Sequence, residues 1–435
     1  MSRLRVLAHY VAARRRGLRD RAALEARQRR LLAGVLRRAP QRYAYYAGLF
    51  PAGPPSCLSD LPVLDKPDVL AHFSGLNRPG VSLADCVEAA RSAERGRDFS
   101  TMLGGLSVGL SSGTSGQQTA FLTSSAERDR WAGEVLARAL PGSITSGARI
   151  TLVLRAGGPL YSSVGSRKVS FTYVDLALPV PALLAEIRRS RPTILVAPPS
   201  VLVLVAGAEA TGEEPAGAEG WAGGLQRVLS AAEVLEPQDA ASIAQGLGIR
   251  VDQIYQAAEG FLGISCLSGT LHLAEDLVLV ERELIAGASD GRFVPVVTDL
   301  VRTSQAVLRR RLGDVLVPGS CPCGDPRLAI ASIIGRSDDV LDLPRASGEV
   351  GRGAFFPDFV RAAVLAVAGV EDFALLQEGD ELRLSVVPED LFEPARQALA
   401  AALSKAGLRA SAIVAAPLPG RDPLVKLRRV RRLDT

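Results

Sequence analysis

Along the first fifty residues arginine alternates with leucine, alanine and valine at helical spacing, which predicts helix over roughly 3–47 with an apolar stripe and a solvated basic face. The stretch 61–67, Leu-Pro-Val-Leu-Asp-Lys-Pro, reads as a turn between helices. From about residue 106 the texture changes. Short β-branched runs at 149–154, 193–197, 226–230 and 250–255 are separated by helical patterns at 124–140, 181–190 and 236–247. That alternation predicts parallel β/α layers. Residues 207–224, rich in Gly, Ala and Glu, read as a surface loop, and 276–281 and 294–298 as further strands. Beyond 336–340 the pattern restarts as a compact unit. It holds a helix near 357–368, strands near 371–387, a helix near 391–406 and a strand near 410–416, an order suited to a small α+β domain.

Composition narrows the class. A chain of 435 residues suits a large domain plus a smaller one, and 47% hydrophobic with 22% charged residues describes an aliphatic globular core. No run of 18 uncharged apolar residues occurs, so no membrane partner is expected. The start Met1-Ser2-Arg3-Leu4-Arg5 lacks the apolar stretch of a secretory signal, so a cytoplasmic protein is expected. Five scattered cysteines argue against a disulfide framework. The formal charge of +5 comes largely from 14–38 and 428–432. Nucleic-acid binding is the reading that clustered arginine invites. An amphipathic helix explains the same residues, so no nucleic-acid partner is expected. Lysine is scarce: Lys66, Lys168, Lys405 and Lys426 only.

The first candidate for chemistry is Ser111-Ser112-Gly113-Thr114-Ser115-Gly116. Two glycines let backbone N–H groups converge on one anion, and the hydroxyls add donors. It is not a Walker loop. On its own such a loop is more often a plain turn, and its weight comes from the motifs downstream of it.

In chain order, those motifs are Gln253-Ile254-Tyr255-Gln256-Ala257-Ala258-Glu259-Gly260-Phe261, Arg311-Leu312-Gly313-Asp314, Gly335-Arg336-Ser337-Asp338-Asp339 and Lys426-Leu427-Arg428-Arg429-Val430. With the loop, these resemble the motif series of the adenylate-forming ligases, in particular the phenylacetate-CoA ligase and coenzyme F390 synthetase-like branch. The resemblance implies an α/β fold with a large N-terminal adenylate-forming domain of β/α layers, residues 1–337, and a small mobile C-terminal α+β domain, 338–435, carrying the catalytic lysine.

The resemblance also implies roles. The loop would hold the ATP phosphates. Ala231, Ala232 and Glu233 would form the adenine turn, with Tyr255 stacking on the base and Gln256 and Ala258 beside it. Asp314 would accept both ribose hydroxyls, which two carboxylate oxygens can do. Glu259 would hold Mg²⁺, a hard cation that takes carboxylate oxygen. Arg336 would meet phosphate or ribose, Asp338 would be the hinge, and Lys426 would bridge substrate carboxylate and nucleotide. Gly158, Tyr161, Ala197 and Phe261 are the candidate acid pocket. Two positions depart from the pattern: Ala258 replaces the usual Thr, and Gln117 or Gln118 stands where a loop lysine is common.

A second constellation is Cys266-x₅-His272 with Cys321-Pro322-Cys323-Gly324, near 264–324. Cys₃His suits tetrahedral zinc in a structural role, provided that 264–266 and 272 form a hairpin, and zinc-bearing members occur in the resembled group. The expected activity is ATP-dependent activation of a carboxylic acid of the benzoate, hydroxybenzoate or anthranilate type as acyl-AMP. Transfer to CoA, an amine or a hydroxyl completes the reaction, and a homodimer is compatible with the sequence. The rival readings are a catalytically silent nucleotide-binding homologue and an adenylating enzyme that forms an ester or amide without CoA.

Overall fold

The computed structural model describes residues 2–96, 98, 102–110, 119–155, 168–210, 220–285, 288, 290–346, 351–420 and 428–433. Every position of the strands Ile194–Ala197 and Arg227–Ser230 is buried, as strands covered on both faces must be. They form the middle of a parallel sheet in the order Val169–Asp175, Ala148–Leu154, Ile194–Ala197, Arg227–Ser230, Val251–Ala257. The helices Val180–Ser190, Pro199–Ala210 and Pro237–Leu247 bury Leu183, Ile187, Val205 and Ile243 in one core with Val153, Leu195 and Val228. The strand Ala148–Leu154 lies between the two strands that come after it in the chain. Strand order reverses there, which is where open α/β sheets place ligands, outside the carboxyl ends of the strands.

The sheet continues in antiparallel fashion. Val251–Ala257 turns tightly into Gly260–Ser265, which pairs with Leu271–Leu273, and Leu271 and His272 pair in turn with Ile330 and Ala329. Val278–Leu284 and Phe293–Asp299 form a hairpin, to which Arg310–Arg311 adds, within the same sheet.

The N-terminal arginines differ from expectation. The helical stretch is broken into Arg3–Arg14 and Arg21–Arg42, followed by Ala44–Leu49. Asp20 starts the second helix by accepting from the Ala23 N–H at 2.8 Å. Nor is the basic face simply solvated. Helix Arg3–Arg14 packs on helix Ser125–Ala139 at Gly133, where a Cβ would come within 2.7 Å of the Val6 carbonyl oxygen. Arg5 donates to Asp129 at 2.7 Å and Arg21 to Glu275 at 2.7 Å. Arg16 pairs with both Glu134 and Asp276. Asp276, only 1% exposed, also takes Arg138 at 2.7 Å and Arg327 at 3.6 Å. Burial alone would raise its pKa; the three guanidinium groups hold it well below the usual carboxylate range.

Contacts divide the chain into two compact units, residues 1–312 with 318–332 and residues 313–317 with 333–435. In the second, helices Pro357–Leu365 and Phe392–Lys405 pack on a four-stranded sheet. Its order is Ala412–Ala415, Glu381–Val387, Asp372–Glu378, Val430–Leu433. The last strand, parallel to Asp372–Glu378, lies in the basic run near the C-terminus, where the sequence pattern predicts none. Among the described residues no helix is long and apolar enough to cross a membrane.

Removing one member of a buried ion network leaves its partners uncompensated. Asp276→Ala is therefore expected to destabilise the protein by roughly 3–5 kcal/mol, read as a lower urea midpoint. A loss below about 1 kcal/mol would mean that the three arginines find water instead.

Candidate functional site

Strands Leu106–Leu110 and Ala120–Thr123 pair antiparallel, with Leu110 opposite Ala120. They bracket residues 111–118, so the candidate phosphate loop, Ser111 to Gly116 with Gln117 and Gln118, lies outside the described residues, but both its stems are placed. Gly158, Tyr161 and Lys426 lie outside them too.

Tyr255 is buried on strand Val251–Ala257. Gln256 accepts a hydrogen bond from the Trp131 indole at 3.2 Å. Ala258 and Glu259 form the turn into Gly260–Ser265, and Gly260 takes a φ of 142°, a conformation that suits glycine. Arg302 holds this turn. Its guanidinium donates to the Ala258 carbonyl at 2.9 Å and the Glu259 carbonyl at 3.3 Å, and also to the Leu122 carbonyl at 2.9 Å and Gln305 Oε1 at 3.0 Å. Gln305 Oε1 accepts from the Leu122 N–H as well, at 3.1 Å. The strand leaving the Ser/Gly loop and the turn bearing Glu259 are thus bound to one guanidinium.

The segment carrying Arg302 is itself fixed. Asp299 accepts from the N–H groups of Val301 and Arg302 at 2.7 Å each, and burial pushes its pKa up. Glu127 closes a capping box with Ser124 at the start of helix Ser125–Ala139. Its other oxygen accepts from the Thr303 and Ser304 N–H groups at 2.5 and 2.9 Å. Burial opposes ionisation of Glu127, but Arg302 and these hydrogen bonds hold its pKa at about 2. Sequence reasoning misses Glu127 and Arg302 as site residues; the Ser124-x-x-Glu127 spacing signals only a helix start.

At the carboxyl end of Arg227–Ser230, Ala232 adopts a φ of 71°, a conformation that costs a side-chain-bearing residue energy and marks a specialised turn. The Ala231 N–H donates to the Ala197 carbonyl at 3.1 Å. Glu233 accepts from the Ser200 N–H at 3.2 Å, so its carboxylate serves the start of helix Pro199–Ala210. Ala197 is fully buried in the core of the parallel sheet. Phe261 is buried with the Arg138 guanidinium 5.7 Å from its ring centre.

In the second unit, Arg336 lies 3.6 Å from Asp314 and 3.8 Å from Asp338. Its guanidinium occupies the space a Cβ at Gly313 would need, so Gly313 admits the contact with Asp314. The Arg428 Nε donates to Asp339 at 2.9 Å, tying the residue after the hinge position to the one two places beyond Lys426.

Cys266, His272, Cys321 and Cys323 come together in the first unit, with one ligand atom of each within 4.8 Å of all the others. The Sγ atoms of Cys266 and Cys321 are 3.6 Å apart, and Cys323 Sγ lies 3.4 Å from His272 Nε2. A tetrahedron with metal–sulfur bonds of about 2.3 Å has edges of about 3.8 Å, so the set fits a zinc ion. His272 Nδ1 meets the Arg327 carbonyl oxygen at 3.0 Å. Donation there leaves the Nε2 lone pair for a metal, the usual arrangement behind a histidine ligand. A hydrogen bond from the Thr270 side chain, helped by its neighbours, holds the Cys321 thiol down to about 6.

No protein-family model and no curated protein matches the chain. Solved structures do. A 2-hydroxyisobutyryl-CoA ligase in its postadenylation state, bound to an acyl-AMP, superposes with a TM-score of 0.65 at 18% identity, over 95% of this chain and 89% of that one. The acyl acid amido synthetase GH3.15 gives 0.59 at 12% identity, over 95% and 92%. The anthranilate CoA ligase AuaEII, complexed with anthranoyl-AMP, gives 0.51 at 13% identity, over 74% and 66%. The chain has the α/β fold of these adenylate-forming enzymes.

The Glu127 pKa carries a pH signature. Its folded value of about 2 lies below the ordinary 4.5, so the unfolded chain binds the proton more readily. The stabilisation is present above about pH 5 and is lost as pH falls toward 2, up to about 3 kcal/mol in all. Glu127→Gln lacks it, so the gap in unfolding free energy between the two proteins should narrow from pH 6 to pH 3. A gap independent of pH would remove the charge from the account.

Proposed function

We propose that the protein activates a carboxylic acid with ATP, forming an acyl-AMP and pyrophosphate, and then passes the acyl group to a nucleophile. The observation that carries this reading is Arg302, which binds the strand leaving the Ser/Gly loop and the backbone of the Glu259 turn at 2.9 Å each. Polyphosphate bound through a dication calls for hydroxyl and N–H donors together with a carboxylate, which the residue types of 111–116 and Glu259 supply. The shared fold and the order of the motifs support the same reading.

In the reaction, a carboxylate oxygen attacks the α-phosphorus in line. The new O–P bond forms as the P–O bond to pyrophosphate breaks. Such a displacement needs positioning and charge neutralisation more than proton transfer. Glu259 would hold Mg²⁺, which neutralises phosphate charge. Lys426 meets the charge that builds on the carboxylate and phosphoryl oxygens. Asp314, steadied by Arg336, accepts the ribose hydroxyls, Tyr255 with Gln256 and the turn Ala231-Ala232-Glu233 flank adenine, and Asp338 is the hinge of a small domain beginning there. The acceptor then attacks the acyl carbon and AMP leaves. An aromatic acid is the substrate class, with CoA or an amine as acceptor; the fold accommodates both in the solved ligase and amido synthetase. Ala258 and Gln117 favour one alternative, a homologue that binds nucleotide without chemistry.

Purified protein with Mg²⁺, ATP and a panel of aryl acids should release pyrophosphate in an acid-dependent manner and form hydroxamate when hydroxylamine is present. Lys426→Ala should lower that rate by about 10²-fold or more with an unchanged circular dichroism spectrum. Nucleotide binding without pyrophosphate for any acid would favour the silent reading.

Cys266, His272, Cys321 and Cys323 would hold a structural zinc ion, all four positions being filled by protein. Elemental analysis of protein purified without added metal should give about one zinc per chain, lost in the double variant Cys321→Ser, Cys323→Ser. Retention of zinc by that variant would place the metal elsewhere.

A further inference from the structure

Arg309, Arg310 and Arg311 are consecutive, yet their side chains are treated differently. Arg309 has a left-handed φ of 47°, and its guanidinium donates to both oxygens of Glu281 and to the Leu61 carbonyl. Arg311 pairs at the surface with Glu283 and Asp65. Arg310, between them, is turned inward and is 6% exposed. Its closest carboxylate is Glu259, whose Oε1 lies 3.7 Å from Nη1, beyond hydrogen-bond reach. Its Nε has no acceptor, and among the described residues none accepts a hydrogen bond from the remaining guanidinium nitrogens. Arg302, whose Nε likewise has no acceptor, meets four acceptors through its two terminal nitrogens.

A largely buried guanidinium whose donors meet no acceptor among the described residues, beside one carboxylate out of hydrogen-bond reach, is suited to binding an anion. We propose that Arg310 binds an anionic oxygen of the nucleotide's polyphosphate and supplies the cation that the Ser/Gly loop lacks. This rests on the nucleotide reading of the Glu259 site. Polyphosphate is favoured over the acid substrate for two reasons. Residues 111–118 contain no lysine or arginine, so the segment read as the phosphate loop has only neutral donors to offer a polyphosphate. And Arg310 faces the same Glu259 turn that Arg302 binds to the strand leaving the loop. A guanidinium fork can serve Glu259 and a phosphate oxygen together.

The test is isothermal titration of the full-length wild type, Arg310→Gln and Arg310→Lys with two probes, inorganic pyrophosphate with Mg²⁺ and AMP. Circular dichroism checks that each variant is folded. In Arg310→Gln pyrophosphate affinity should fall by roughly tenfold or more while AMP affinity stays within about twofold. Arg310→Lys, which keeps the charge but loses the fork, should fall between wild type and Arg310→Gln. Equal weakening of both probes, or pyrophosphate binding unchanged in both variants, overturns the assignment and leaves the nucleotide reading standing. A wild type that binds neither probe overturns that reading, and the role of Arg310 with it. Should Arg310→Gln not fold, Arg310→Lys decides alone: its selective loss of pyrophosphate supports the assignment, and wild-type affinity overturns it.

Discussion

One guanidinium, that of Arg302, is the contact on which the geometry of the candidate site depends. It joins segments far apart in sequence, the strand after the Ser/Gly loop and the turn that presents Glu259. Its acceptors are mostly backbone carbonyls, and each charge-assisted bond to a carbonyl is worth more than a neutral one. Because the carbonyls belong to two different segments, their spacing is set by a rigid planar group rather than by loop conformation. Arg302 is positioned in turn by Asp299 and Glu127, which fix the N–H groups of residues 301–304. The candidate site is therefore built on a chain of polar and charged side chains, each holding backbone for the next.

A second ionic assembly, around Asp276, ties together other segments of the first unit. It draws Arg16 from the N-terminal segment, Arg138 from helix Ser125–Ala139 and Arg327 from the segment beside the Cys/His cluster. The Arg327 carbonyl orients His272 while its guanidinium reaches Asp325 and Asp276. Helix Ser125–Ala139 connects the two assemblies, since Glu127 sits at its start and Glu134 and Arg138 further along. A metal at the cluster would thus brace the same helix that anchors the Arg302 segment.

Repetitive order is legible in the amino-acid sequence and long-range charge is not. The parallel strands and their helices fall within a few residues of the hydrophobic runs that announce them, because burial on both faces leaves an unbroken apolar signature. Val169–Asp175 lacks that signature: at the edge of the parallel sheet it alternates apolar and polar residues, and it follows a Gly- and Ser-rich stretch. Val430–Leu433 is hidden in a run of arginines that reads as tail. The N-terminal basic face reads as solvated because Glu134 and Asp276, the partners of Arg16, lie 118 and 260 residues away, and periodicity carries no such information. Glu259 and Asp314 stand in short local motifs and can be named as candidates from the sequence. Arg302 and Glu127 cannot, since what distinguishes them is the set of distant carbonyl and N–H groups they reach.

The departures from the resembled motifs change meaning in this setting. A threonine before the candidate metal-binding glutamate could serve to hold the turn or to touch phosphate. Here the turn is held without it: Arg302 binds the carbonyls of residues 258 and 259, and Gly260 supplies the positive φ the hairpin needs. Alanine at 258 then forfeits one hydroxyl but not the orientation of Glu259. With Arg310 in its proposed role, the missing loop lysine is likewise a change in where charge resides. A cation on a flexible loop must be ordered each time nucleotide binds, whereas a buried arginine on the strand Arg310–Arg311, paired with Phe293–Asp299, has already lost its rotational freedom on folding. Shifting positive charge from loop to strand trades adaptability for preorganisation, and a site that must receive a polyanion gains most from the latter.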